Sequence, residues 1–328
     1  MKPKCIVITP IKHISGVEDT LKSFCDITVI EDPSLEDLIE VMPDYDAIYT
    51  NPNKSKIFLG PEILDAASKL KVIATASTGI NHIDKAYATK MNIEVLSLTE
   101  EREVIEKISS TAEHAFALTL SSLRRVIQSH NDALDGEWDY TKYIGRQMNF
   151  LTIGVVGYGR LGTLYAKYCR AFGAEVLIFD PYKEIDIKGA KQVTDLKKLA
   201  RLSDVISLHV HVNEETTSMI NVDVFKEMKN DVLIINTSRG EIINEIDLVK
   251  FLKNNKEALF ATDVLTNEII NRGNSPLFKF AKGNTKQVTI TQHIGGMTRE
   301  AQQIAYGHAA QLLKKHFTNK PIELLNVT

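Results

Sequence analysis

The run Gly157-Tyr158-Gly159-Arg160-Leu161-Gly162 does most to restrict what this chain can fold into. An apolar, β-branched stretch, Thr152-Ile153-Gly154-Val155-Val156, precedes it, and a helical pattern over 161–172 follows. A second apolar stretch over 174–180 ends in Asp180, 18 positions after Gly162. Strand, glycine turn, helix, strand and acid is the order that a dinucleotide site requires. Gly157 allows the tight turn. Gly159 removes a Cβ from between the backbone amides and a pyrophosphate. Gly162 lets the helix lie close on the strand. The helix start, with Arg160 and Leu161, adds partial positive charge. Asp180 can accept both ribose hydroxyls, and its charge repels a 2′-phosphate. Pro181 and Tyr182 come next, with no arginine to pair such a phosphate, so NAD is favoured over NADP. The bland alternative is a plain βα turn with a helix-capping aspartate.

The rest of the chain repeats the same alternation. At roughly 150 residues per domain, 328 residues suggest two domains. Strands are expected at 5–9, 27–30, 47–50, 71–76 and 93–97, with helices between them. Residues 1 to about 98 therefore read as a small doubly wound domain with a parallel sheet. A second series has strands at 152–156, 174–180, 205–209, 232–236, 260–264 and 288–291, enough for a full dinucleotide domain. Between the two, 110–129 reads as one long helix. Its apolar stripe runs through Ala112, Phe116, Leu120, Leu123 and Ile127. A last helix over 299–317 follows the second sheet and has no sheet of its own to complete, so it could pack on either domain.

Composition removes other classes of function. Net charge is -3 and the lysines and arginines are scattered, so neither nucleic acid nor an anionic membrane is an expected partner. No run of about 18 apolar residues exists to span a membrane. The three cysteines, Cys5, Cys25 and Cys169, include no C-x-x-C pair. They fit a reducing compartment, and a cytoplasmic location is expected. His209-Val210-His211 could offer two metal ligands, but no third is evident. A packing or cofactor-lining role fits better, and no metal is expected. Met148, Met219, Met228 and Trp138 read as packing residues.

Three polar residues stand at expected strand ends: Arg239 in Asn236-Thr237-Ser238-Arg239-Gly240, Glu268 in Asp263-Val264-Leu265-Thr266-Asn267-Glu268, and His293 in His293-Ile294-Gly295-Gly296. Singly, each could be a surface ion pair, a solvated acid or a half-buried histidine. Together with Gly157 to Gly162, Asp180, Ser77-Thr78-Gly79-Ile80-Asn81-His82-Ile83-Asp84, Ala112-Glu113-His114 and Thr298, they form an ordered set. The set resembles the D-isomer-specific 2-hydroxyacid dehydrogenases over essentially the whole chain.

The resemblance implies two doubly wound parallel-sheet domains. A flavodoxin-like substrate domain would comprise 1–100 and 296–328, with a Rossmann NAD domain, 101–295, inserted in it. It also implies an NAD-dependent oxidoreductase acting on the CH–OH group of a small 2-hydroxy acid, or reducing the 2-keto acid. His293 would be the general acid, and Glu268 would bond its other ring nitrogen and orient it. Arg239 would bind the carboxylate and polarise the carbonyl. Ser77, Thr78 and Gly79 would line the substrate, with the amides around Thr78 and Gly79 holding the far side of the carboxylate. Thr237 and Asp263 would join Gly157, Gly159, Arg160, Leu161, Gly162 and Asp180 at the cofactor, Asp263 at the nicotinamide amide. A homodimer through the NAD domain is implied as well. A corepressor branch of the family offers the alternative of an NAD-sensing regulatory protein.

Two stretches depart from the family pattern. The segment 98–107 is longer and more charged than the usual short turn, and Arg102 or Lys107 could reach an anionic substrate. In 51–56, no arginine stands where phosphoglycerate dehydrogenases place one, though Lys54 or Lys56 could substitute.

Overall fold

The computed structural model describes residues 2–52 and 57–322. Lys54 and Lys56 lie outside the described residues. The chain divides into two compact units, Met1–Ile108 with Gly296–Thr328, and Ser109–Gly295.

The first unit holds five parallel strands, β1 Lys4–Val7, β2 Asp26–Val29, β3 Ala47–Thr50, β4 Val72–Thr75 and β5 Glu94–Leu96. Their order, β2-β1-β3-β4-β5, is the flavodoxin-type arrangement. Every residue of β3 and β4 is buried. Helices cover both faces of the sheet, so the strands are continuous apolar runs rather than alternating ones. One face packs Val17, Leu21 and Phe24 of the helix Val17–Phe24 against Tyr306, Ala309 and Leu313 of the helix Arg299–Thr318. The last helix thus belongs to this unit. The other face is closed by Leu38, Ile63, Leu64 and Ala88.

The second unit holds seven parallel strands: β6 Thr152–Val156, β7 Glu175–Phe179, β8 Ala190–Gln192, β9 Val205–Leu208, β10 Leu233–Asn236, β11 Leu259–Thr262 and β12 Val288–Ile290. Their order is β12-β11-β10-β9-β6-β7-β8. It winds outward in both directions from β6, which places the switch point between β6 and β9, where open sheets bind ligands at their carboxyl ends.

Four features differ from the sequence expectation. Strand β8 was not foreseen: it is only three residues, Ala-Lys-Gln, without an apolar run to mark it. The helix expected over 110–129 is two helices, Ser110–Leu123 and Val126–Leu134, because Arg125 takes a left-handed φ of 53°. The first buries Ala112, Ala115, Leu118 and Leu123, Phe116 and Leu120 stay partly buried, and Ile127 lies on the exposed second piece. Trp138, expected to pack, is 92% exposed. Finally, the first unit runs to Ile108 rather than to residue 100. The extra segment folds back onto the last helix, where Glu101 meets His308 Nε2 at 2.7 Å.

Candidate active site

The glycine turn is shaped by what surrounds it. Gly157 has φ +89°, and a Cβ there would lie 2.5 Å from the His209 carbonyl oxygen. A Cβ on Gly162 would lie 2.0 Å from the Gly157 oxygen, so only glycine lets this helix start so close to the strand. A Cβ on Gly159 would meet nothing within 4 Å. It would project into open space before the helix Arg160–Ala171, which has no side-chain cap. Asp180 follows β7. Its Oδ2 accepts from the Tyr158 amide at 2.8 Å and its Oδ1 from the Tyr182 amide at 3.0 Å. The acid is thereby fixed beside the turn, with acceptor capacity remaining on both oxygens. Thr237, just past β10, buries a hydroxyl that has no hydrogen-bond partner among the described residues. A helix start without a side-chain cap, a fixed acid and an orphaned hydroxyl along one sheet edge suit a dinucleotide.

Arg239, Glu268 and His293 follow β10, β11 and β12 at that same edge. Asn236 clamps the arginine loop, donating to the Arg239 carbonyl at 2.8 Å and accepting from the Ser238 amide at 3.0 Å. A Cβ on Gly240 would lie 2.2 Å from the Leu265 carbonyl carbon, so glycine lets this loop touch the one that carries Glu268. Burial pulls the Arg239 guanidinium below its usual range, and the charges of Glu268 and Glu241 oppose that. Glu268 Oε2 accepts from the Leu265 amide at 3.1 Å. Its Oε1 is hydrogen-bonded to His293 Nδ1, so Nδ1 carries a proton. His293 itself has φ +56°, a left-handed conformation unusual for a residue with a side chain. The structure therefore brings these three expected residues together.

Asp263 is turned into the protein. It is 2% exposed. Its Oδ1 accepts from Thr291 Oγ1 at 2.5 Å and the Ile294 amide at 2.9 Å, and Oδ2 accepts from the Gly295 amide at 2.7 Å. His114 Nε2 stands 3.3 Å from Oδ1 and 2.9 Å from Thr291 Oγ1. The Thr291 proton goes to Asp263, so His114 donates to Thr291. Burial pushes the Asp263 carboxyl up, but the bonds from His114, Thr291, Ile294 and Gly295 outweigh it and hold the group below its usual range.

Ser77, Thr78 and Gly79 belong to the first unit and form their own cluster after β4. Ser77 Oγ donates to the Gly79 carbonyl at 2.6 Å and lies 2.9 Å from Thr75 Oγ1. Buried His82 approaches Thr75 Oγ1 at 3.1 Å with Nε2.

Residues 116–295, more than half the chain, match the family model described as "D-isomer specific 2-hydroxyacid dehydrogenase, NAD binding domain". The chain belongs to the D-isomer-specific 2-hydroxyacid dehydrogenase family. It is 34% identical over 301 residues to a D-3-phosphoglycerate dehydrogenase of Archaeoglobus fulgidus, covering 91% of this chain and 54% of that one. It is also 34% identical over 294 residues to a glyoxylate reductase of Thermofilum pendens, covering 86% and 83%. Among solved structures it is similar to the D-lactate dehydrogenase of Aquifex aeolicus complexed with NAD and lactic acid. The TM-score is 0.77, with 26% identity and 96% of each chain covered. The chain spans about half the length of the first curated relatives it matches, 54% and 49%.

Within this family frame, His209 is a packing residue under the glycine turn. It is partly buried: its Nε2 meets Ser207 Oγ at 2.9 Å, its Nδ1 is sealed from solvent, and that burial of the ring pulls its pKa down to about 3. Among the described residues no group of three or more His, Cys, Asp or Glu is arranged to hold a metal. Among the described residues no helix is long and apolar enough to cross a membrane. Sequence reasoning missed Glu245, which is buried and accepts from the Thr266 amide at 3.0 Å and Ser275 Oγ at 2.6 Å. It anchors both ends of the loop that carries Glu268. Its place at a helix start makes it look like an ordinary first-turn acid.

Proposed function

We propose that this chain is an NAD-dependent D-2-hydroxyacid dehydrogenase that reduces a small 2-keto acid or runs the reverse reaction. The observation that carries this reading is the Glu268–His293 hydrogen bond, beside Arg239, on the carboxyl edge of the nucleotide-type sheet. When bound, NAD supplies hydride chemistry at its nicotinamide. Gly157, Gly159, Arg160, Leu161 and Gly162 would face its pyrophosphate, Asp180 its ribose and Thr237 its nicotinamide end, while buried Asp263 would serve that end by holding the Ile294 and Gly295 amides. Arg239 presents a fork of donors to the carboxylate and draws charge toward the reacting carbonyl oxygen. His293 gives that oxygen a proton from the ring nitrogen not bonded to Glu268. Glu268 holds the ring in place and keeps the Nδ1 proton. The amides of Thr78 and Gly79 add backbone donors for the carboxylate.

The proposed partner is a second copy of this chain. Val126, Ile127, Leu134, Trp138, Tyr140 and Ile144 are all exposed between Leu123 and β6, an apolar surface of the kind a homodimer covers. Three free cysteines accord with a cytoplasmic location. Light scattering on wild type and Trp138→Asp tests the dimer. A monomeric wild type removes it.

The test of function follows NADH absorbance with glyoxylate, hydroxypyruvate, phosphohydroxypyruvate, pyruvate and bulkier 2-keto acids, with His293→Ala as control. Turnover of at least one acid, lost in the control, is expected. NADH binding without any turnover would instead favour an NAD-sensing regulatory protein.

A further inference from the structure

In a trans peptide unit the carbonyl and the next amide lie in one plane and point in opposite directions. The Ser77 carbonyl shares a plane with the Thr78 amide, and the Thr78 carbonyl shares the next with the Gly79 amide. Both carbonyls are held from one side. The Leu98 amide donates to the Ser77 oxygen at 3.0 Å, and the Thr99 hydroxyl donates to the Thr78 oxygen at 2.8 Å. Fixing the carbonyls aims both amides away from the 98–99 segment. Among the described residues, neither amide donates to a protein acceptor.

The holding group is itself held. The one Thr99 hydroxyl proton goes to Thr78, so Ser97 Oγ, 3.1 Å away, donates to Thr99 Oγ1. Such a chain polarises each member and strengthens the next bond. Further along, the Glu101 amide returns to the Leu98 carbonyl at 3.2 Å. The Glu101 carboxylate meets Nε2 of buried His308, on the helix Arg299–Thr318, at 2.7 Å. The extension is thus pinned to the core at one end and grips the loop at the other.

We infer that Thr99 is a positioning residue that aims the Thr78 and Gly79 amides at the substrate carboxylate. The 98–107 extension acts as a brace through its backbone and a hydroxyl, rather than through Arg102 or Lys107. This rests on the proposed reading that those amides bind the carboxylate. Thr99→Val removes the donated bond and keeps the β-branched shape, and Thr99 is exposed, so folding is not at stake.

The experiment compares the full-length wild type, Thr99→Val and Thr99→Ser. It reads steady-state kinetics with NADH and the best keto acid, oxamate binding in the presence of NADH, and the thermal midpoint. Thr99→Val should raise the keto-acid KM and the oxamate Kd by about five- to tenfold, as expected for one lost hydrogen bond. Its kcat, NADH affinity and thermal midpoint should stay near wild type, and Thr99→Ser should restore KM. A Thr99→Val enzyme with wild-type KM and oxamate affinity overturns the inference, as does a loss confined to kcat. A wild-type protein that neither reduces a keto acid nor binds oxamate defeats the functional reading itself, and the inference with it.

Discussion

Two histidine–carboxylate pairs stand near the end of β12, and they differ in burial rather than in chemistry. In one, His293 and Glu268 keep side-chain exposures of 23% and 19%. In the other, His114 and Asp263 have 18% and 1%. Glu268 has one histidine and one backbone amide as partners. Asp263 has Thr291, two backbone amides and His114 around it. A carboxylate that is nearly out of water must have its lone pairs satisfied by the protein, and that fixes the backbone that satisfies them. Here that backbone is Ile294 and Gly295, directly after His293. The buried carboxylate therefore fixes the backbone beside His293, while the Glu268–His293 pair keeps more contact with solvent.

Substitutions can break this division of labour. The largest effect is expected at His293→Ala, which should lower kcat by about 10²- to 10⁴-fold and shift stability by no more than about 0.5 kcal/mol. Calorimetry beside kinetics checks it, and a stability loss as large as the activity loss would merge the two pairs into one structural unit. Asp263→Asn should cost both stability and activity. Removing the charge from a buried, multiply bonded site should cost about 1–3 kcal/mol of stability by denaturant titration, with activity lost as His293 is displaced. His114→Phe keeps a ring but loses the bond to Thr291, and about 1 kcal/mol is expected.

Acid titration sharpens the contrast. Burial lowers the His209 pKa from 6.5 to about 3. Between these values the unfolded chain binds a proton that the folded one refuses, so stability should fall as pH drops from 6.5 toward 3. The slope per such group is about 1.4 kcal/mol per pH unit, and His209→Gln should remove that share of it. Asp263 is also held below its usual range, but its stabilisation is present above the ordinary carboxyl value, 3.8, and is lost only as pH falls through the lower folded value. Asp263→Asn should therefore flatten the curve only at the acid end. If both variants flattened the same window, the assignment of the pH dependence to these two groups would be wrong.

Much of this was legible in the residues. Gly157, Gly159 and Gly162 have a strand before them and an acid after them, so the nucleotide-type edge can be read from spacing alone. Arg239, Glu268 and His293 each end an apolar run, which places them at one sheet edge once the strands are taken as parallel. The three residues of β8 carry no apolar signal, since sheet position rather than propensity makes them a strand. The break at Arg125 was hidden because the apolar spacing runs straight through it. Trp138 was misplaced because an aromatic side chain is usually buried by its own chain, whereas this one is left on an apolar surface.

The sequence by itself determined the two parallel sheets and the glycine turn with Asp180, which follow from local periodicity and spacing that a linear text records. The acid, charge-clamp and orienting roles of His293, Arg239 and Glu268 came from the family resemblance rather than from spacing. Only the tertiary structure decided that Asp263 faces inward, that Gly240 lets the arginine and glutamate loops touch, and that Thr99 holds the Thr78 carbonyl 21 positions away. Hydrogen-bond direction and close backbone approach depend on contacts between segments distant in sequence, and no local pattern encodes them.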